Sequence, residues 1–295
     1  MIEKPRKAPC TTLSGRALPE SVKTIRAVER TFEVLLALRE YKDASIAELE
    51  SKTGLSRPTL LRILKTLMEV GAVRRGLQDR RFRIRVFMGD FTEQLTPSDR
   101  LADIAAPFLE QLCAIVRWPS TVGVYGDHDA GDYMLSLEST ATITPFYVSR
   151  LKKKRVNLLM SAQGGAFLAQ LEQSQLSLIL EHVRRYSHDH HNLLAIAAGD
   201  LESRLAQVRE QGYALRHPRY LGGIYNGVAI DDGMNTMAVP LIAAGRPFGA
   251  ATVSWNRKAM TSQQAIKNHL TELRATAGAI ALEAELRGVV NSLMI

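Results

Sequence analysis

The chain has almost no cysteine: Cys10 and Cys113 stand far apart and no CxxC pair exists. Two such residues build neither a disulfide framework nor a zinc knuckle, which points to a reducing compartment. Long apolar runs are missing as well. The best candidate span, residues 237–255, is broken by Arg246 and two prolines, short of the roughly 18 uninterrupted apolar residues a membrane helix needs. The opening residues, MIEKPRKAPC, lack the apolar core of a secretory signal. A cytoplasmic protein without a membrane partner is expected. Catalytic signatures are equally scarce. A GxSxG elbow, a GxxxxGK phosphate loop, an HExxH pair and a strand-following GxGxxG are all missing. No catalytic residue, cofactor or metal ligand is therefore assigned, and an enzyme is not expected. His188-Asp189-His190-His191 carries ligand chemistry, but adjacent residues cannot all converge on one ion. The run from Gly222 to Gly227 reads as a flexible loop.

What the chain does have is length, ordinary globular composition and a lopsided charge. Its 295 residues suffice for about two domains, and 46% hydrophobic with 23% charged residues excludes disorder or a fibrous repeat. The formal charge is +8. Residues 1–90 hold 19 Lys and Arg against 11 Asp and Glu; the remainder holds 19 against 19. The whole excess lies in the first third, as in a polyanion-binding domain joined to a neutral one.

Residues 1–20, with three prolines and no periodicity, read as a mobile arm. After Ser21 a helix is predicted from Ile25, Val28, Phe32, Leu35, Leu36 and Leu38. Ser45-Ile46-Ala47-Glu48 is a capping box opening a short second helix that ends at Gly54. Ser56 is expected to cap a third, with Pro58 tolerated in its first turn. Leu60, Leu61, Leu64, Leu67 and Met68 form its apolar stripe, while Arg57, Thr59, Arg62 and Lys65 fall away from it. Helix, glycine turn and basic helix make a helix-turn-helix, whose second helix fits a major groove where Arg grips guanine. Phe82, Ile84 and Val86 then alternate with Arg81, Arg83 and Arg85. That period-two pattern predicts a β-hairpin wing with arginines along a phosphate backbone. The expected DNA contacts are Ser56, Arg57, Thr59, Arg62, Lys65, Arg74, Arg75, Arg80, Arg81 and Arg83.

Thr53-Gly54-Leu55-Ser56-Arg57-Pro58-Thr59-Leu60-Leu61-Arg62-Ile63-Leu64-Lys65-Thr66-Leu67, followed by Gly71-Ala72-Val73-Arg74-Arg75, resembles the recognition segment of the IclR family of bacterial transcriptional regulators. Pro58 stands where that family commonly has Ser or Thr, which removes one polar contact. The resemblance implies a dimer or tetramer on palindromic double-stranded operators, with Arg57, Thr59 and Arg62 nearest the bases.

Beyond the wing, Pro97-Ser98-Asp99 opens a long helix reaching about Arg117, interrupted or kinked at Pro107, whose apolar side could face a second copy. Strands are predicted at Thr121–Tyr125, Tyr133–Leu137, Phe146–Val148, Met237–Ile242 and Gly249–Trp255, and helices at about 162–171, 174–186, 201–211 and 262–287. The fold class is α+β, with helices on one side of a sheet. The domains are expected at 1–20 (arm), 21–90 (winged helix-turn-helix), 91–118 (linker helix) and 119–295 (effector domain). Over this last part the resemblance implies a GAF-like effector domain, carried by Val156–Ala169 and Thr236–Leu241, while residues 105–119 look most like the subgroup regulating hydroxyphenylpropionate and related aromatic-acid catabolism. Candidate pocket residues are Leu158, Met160, Ser161, Met237, Val239 and Ser254. The basic run at 150–155 reads as a solvated loop. The leading expectation is a DNA-binding regulator that responds to a small organic acid, an aromatic one by the subgroup resemblance. The competing expectations are a metabolite-binding protein or enzyme that a basic domain docks on nucleic acid, and a non-specific nucleoid protein.

Overall fold

In the computed structural model the described residues are 23–41, 43–76, 79–85, 96–125, 131–144, 155–225 and 228–293. The predicted arm, the strand at Phe146–Val148 and residues 150–154 of the basic run lie outside them. The chain divides into two compact units, with the break between Thr96 and Pro97.

The first unit holds α1 (Arg26–Tyr41), α2 (Ile46–Thr53), α3 (Arg57–Glu69) and a hairpin of β1 (Val73–Arg75) and β2 (Phe82–Ile84). Its core gathers Val34, Leu38, Leu49, Leu60, Leu64, Leu67, Val73 and Phe82. The capping box forms as predicted: the Ser45 amide donates to Glu48 Oε2 at 2.7 Å, and the Glu48 amide donates back to Ser45 Oγ. Gly54 ends α2 at φ 67°, the left-handed conformation a C-cap requires. Ser56 departs from expectation. It sits at the N-cap of α3, but its hydroxyl pairs with Thr59 Oγ1 at 3.0 Å and makes no backbone cap. Pro58 has no N–H to offer there. The α1 stripe also differs, since Ile25, Val28, Phe32 and Leu36 are exposed while Val34, Ala37 and Leu38 face the core.

The second unit is built on a six-stranded antiparallel sheet in the order β5-β4-β3-β10-β9-β6. Its strands are β3 (Ser120–Tyr125), β4 (Tyr133–Ser139), β5 (Arg155–Asn157), β6 (Ala214–Leu215), β9 (Met234–Ala243) and β10 (Arg246–Asn256). Two long helices, α4 (Pro97–Val116) and α9 (Ser262–Leu286), cover one face through Leu101, Leu109, Leu273 and Ile280, packed on Val122, Met237, Val239, Val253 and Trp255. The other face receives α5 (Ala162–Leu168) against Ala238 and Ala250, followed by α6 (Gln173–Tyr186), α7 (His190–Ala198) and α8 (Leu201–Gln211). The sheet is therefore clothed on both sides, not one as expected, because the small side chains of Ala238 and Ala250 let α5 approach. Pro107 is accommodated inside α4, which runs unbroken. The apolar side of α4, expected to face a second copy, is consumed within its own unit's core. Trp255 is fully buried, its indole N–H donating to the Met260 carbonyl at 2.8 Å, and Trp118 packs at the margin of the same core.

One local expectation is corrected. Gly222–Gly227 does not form a bare loop: residues 222–225 and 228–231 pair as a hairpin, β7 (Gly222–Tyr225) with β8 (Val228–Asp231). In the sequence Asn226-Gly227 falls between them, the dipeptide favoured at two-residue hairpin turns. The His188–His191 run contains the start of α7, where Asp189 is the N-cap and accepts from the Asn192 amide at 3.0 Å.

Candidate nucleic-acid interface and ligand cavity

Burial of Leu60, Leu64 and Leu67 fixes which side of α3 meets solvent. Arg57, Arg62 and Lys65 lie on the exposed side, with Thr59 half-buried between them and Ser56 exposed at the entrance. Lys65 lies 3.7 Å from Glu69 in a solvent-exposed pair, whereas Arg57 and Arg62 have no carboxylate partner among the described residues. Two exposed guanidinium groups on α3, five residues apart and each able to fork onto a base edge or a phosphate, supply the chemistry of major-groove reading.

The hairpin carries further cations, but not all face outward. Arg74 is exposed and uncompensated among the described residues. Arg75 lays its guanidinium over the Phe82 ring, 5.3 Å from the centroid, and donates to the Arg80 carbonyl at 2.9 Å. Arg80 is exposed, at φ 58°. Arg81 and Arg83, expected along a phosphate backbone, are engaged within the protein. Arg81 binds Glu48 at 2.6 Å and also Asp43, while Arg83 binds Asp79 and lies 3.5 Å from Asp43. Arg81, together with the capping-box hydrogen bonds from Ser45, holds the Glu48 carboxyl down at about 2. These partners lie 33 and 38 residues away from Arg81 along the chain, so no local pattern announces them.

In the second unit a cavity of about 200 Å³ opens on the sheet face opposite the two long helices. Its floor is a row of hydroxyls from alternate positions of neighbouring strands: Thr121 on β3, Ser139 on β4, Thr252 and Ser254 on β10, and Thr236 on β9. Thr236 and Ser254 hydroxyls are 2.9 Å apart, and Thr121 donates to Ser139 Oγ at 3.0 Å. Its walls include Ser161, Ala162 and Gln163 at the start of α5, with Val156, Met234 and Tyr220 supplying apolar surface.

One charged pair stands in that wall. Arg216, only 7% exposed, donates to Asp232 at 2.8 Å, to the Met234 carbonyl at 3.1 Å and to the Tyr220 carbonyl at 2.6 Å. Its guanidinium also lies over the Tyr220 ring, 4.8 Å from the centroid. Burial raises the Tyr220 phenol above its ordinary pKa. Gly222 closes this corner at φ 75°, and a Cβ there would overlap both the Arg216 guanidinium and the Asp232 carboxylate. Behind the wall, Asn192 ties the segment before α5 in place. Its Oδ1 accepts from Asn157 Nδ2 at 2.8 Å and from the Leu159 amide at 3.1 Å.

Of the six pocket residues expected from the sequence, the structure places Ser161 and Ser254 at the cavity. Leu158 and Met160 are buried in the core beneath α5, and Met237 and Val239 in the core beneath α4 and α9. The last two face the opposite side of the sheet from the cavity. Side chains alternate across a strand, so Met237 points away from the cavity its neighbour Thr236 lines. Thr121, Thr252, Arg216 and Tyr220 were missed. For Thr252 the signal is in the sequence: Thr252 and Ser254 stand two residues apart in an otherwise apolar strand.

Residues 27–76 match the family model described as the IclR helix-turn-helix domain, and residues 94–282 match the one described as bacterial transcriptional regulator IclR C-terminal. Among curated proteins, the HTH-type transcriptional regulator XynR of Escherichia coli is 27% identical over 192 residues, 65% of this chain and 74% of that protein. The regulator KdgR of the same organism is 23% identical over 201 residues, covering 68% and 74%. Among solved structures, an IclR homolog from Microbacterium sp. strain HM58-2 shares the fold with a TM-score of 0.51 at 18% identity, covering 88% of this chain and 98% of that one. The families and curated relatives are transcriptional regulators, not enzymes. Among the described residues, no helix is long and apolar enough to cross a membrane.

Proposed function

Because this chain belongs to the IclR family of bacterial transcriptional regulators, we propose that its first unit reads a specific operator and its second answers to a small organic acid. The observation that carries the DNA reading is the exposure of Arg57 and Arg62 on α3, with Arg62 opposite the buried Leu60, Leu64 and Leu67. Arg62 and Arg57 address base edges, with Ser56, Thr59 and Lys65 beside them. Arg74, Arg75 and Arg80 serve the phosphates. The operator is palindromic and the protein a homodimer or a tetramer of such pairs. Val28, Phe32 and Leu36, exposed at successive turns of α1, with Ile25 just before its start, suit a contact between two copies.

The effector site is the hydroxyl-floored cavity of the second unit. Ser161, Thr236, Thr252 and Ser254 supply neutral donors and acceptors, and the Arg216–Asp232 pair leaves the wall without net charge. A small acid fits this chemistry: its carboxylate takes hydroxyl hydrogen bonds and its body lies on Tyr220, Val156 and Met234. The flat Tyr220 ring favours an aromatic acid within that class. The effector shifts DNA binding only by preferring one arrangement of the paired reading units over another. The protein acts in the cytoplasm. Binding-site selection on the purified protein, repeated with benzoate, hydroxyphenyl and aliphatic hydroxy acids, tests both halves. A single enriched palindrome whose recovery one acid class changes is expected. Equal recovery of random DNA ends the operator reading, and indifference to every acid ends the effector reading.

A further inference from the structure

Two places hold polar chemistry that the reading above does not use: the Asn157–Asp189–Asn192 network behind the cavity, and the ion-paired cluster under the wing. The last has the strongest geometry. Arg81 directly precedes the second strand of the hairpin, and its guanidinium turns inward to Glu48 and Asp43. Glu48 is the capping-box residue of α2, the first helix of the helix-turn-helix pair. Asp43 lies in the segment joining α1 to α2, and Arg81 also reaches its carbonyl at 3.3 Å. At the next residue the backbone repeats the contact. The Ala44 amide donates to the Phe82 carbonyl at 2.9 Å, and the Phe82 amide donates back at 2.8 Å. One arginine thus spans three elements whose relative placement decides where the wing stands beside α3.

We propose that Arg81 is a positioning residue for DNA reading: it fastens the wing to the start of α2 and does not itself hold a phosphate. This rests on the operator reading of the first unit. An arginine on a phosphate must present free donors to solvent. Arg81 is 34% exposed, with its Nε and one terminal nitrogen committed to two carboxylates. Those carboxylates are anions in a DNA-binding unit, where each opposes phosphate unless it has another task. Glu48 also closes the capping box and Asp43 also lies beside Arg83; holding Arg81 is the task the two share.

The two roles separate by salt. Losing a phosphate contact lowers the slope of log affinity against log salt by about 0.9. Losing a positioning contact weakens operator binding and leaves the slope alone, since no phosphate has lost its cation. Full-length wild type, Arg81→Gln, Glu48→Gln and Arg74→Gln are titrated onto the selected operator and onto scrambled duplex across a salt series. Gln at position 48 retains a capping-box acceptor, so that variant keeps α2 capped and loses only the charge on Arg81. Should Arg81→Gln not fold, Glu48→Gln carries the test. Both variants should lose about tenfold on the operator and little on scrambled DNA, at wild-type slope, while Arg74→Gln loses slope on both. For Glu48→Gln this means weaker binding although an anion has been deleted. The proposal is overturned if Arg81→Gln loses slope equally on both duplexes, or if Glu48→Gln tightens binding. A wild type that does not prefer the operator overturns the underlying reading instead.

Discussion

Thr236 and Met237 are neighbours on β9 and serve opposite sides of one sheet: the threonine hydroxyl opens onto the cavity, and the methionine is fully buried beneath the long helices. Their variants should therefore fail in different ways. Met237→Ala should cost about 2–5 kcal/mol of stability, read by denaturant unfolding. Thr236→Val, nearly isosteric, should cost only about 1 kcal/mol, the hydrogen bond to Ser254. It should weaken effector binding about tenfold in calorimetry, about 1.4 kcal/mol and the scale of one lost hydrogen bond to a ligand. Equal stability loss from both would show that the assignment of faces is wrong.

Arg62 stands on the exposed side of α3 with no carboxylate beside it among the described residues. Arg62→Ala should cost about 1–3 kcal/mol on the operator and relax the preference at one base pair per half-site. Competition against a panel of single-base operator variants measures both effects. A uniform loss across the panel would reassign this side chain to the backbone.

Glu48 titrates at about 2, below its ordinary value of 4.5, because Arg81 and Ser45 bind its charged form. The sign follows from linkage: the folded protein holds the proton less tightly than the unfolded chain does. The stabilisation is therefore complete above about 4.5 and fades as pH falls towards about 2. Thermal unfolding of the first unit, followed for wild type and Glu48→Gln, should show a gap near neutral pH that closes over that interval. A gap that widens with acid would contradict the pairing.

Gly222 sits at φ 75° with its α-carbon against the Arg216 and Asp232 side chains. Gly222→Ala meets two obstacles, a left-handed backbone and two overlapped charged groups. It should cost more than about 1 kcal/mol and displace Arg216 from the cavity wall. The check is a lowered melting midpoint together with weakened effector binding. A neutral alanine variant would mean that this corner yields.

What was legible in the sequence is what short range decides. Ser45 and Glu48 are three residues apart, and Leu60, Leu64 and Leu67 repeat at helical spacing, so the helix-turn-helix could be read directly. The hairpin alternation of Phe82 and Ile84 with Arg81 and Arg83 was also visible, and it suggested outward arginines. What it could not show is Asp43 and Glu48, which reach Arg81 only after the chain folds back. The cavity divides the same way. Alternation told which residues share a strand face, but not which face would be left open. That depended on where α4, α5 and α9 pack, a choice made by distant residues such as Leu109 and Ile280. Asp189 as the cap of α7 was hidden by its histidine neighbours, which drew attention to metal chemistry.

The chain's two tryptophans, Trp118 and Trp255, both belong to the second unit, one at the margin of its core and one fully enclosed. Intrinsic tryptophan emission is consequently blind to the half that meets DNA. A fluorescence melt of this protein traces the effector unit alone. The neighbour of Trp118, Pro119, lines the cavity, so occupancy has an optical reporter already in place.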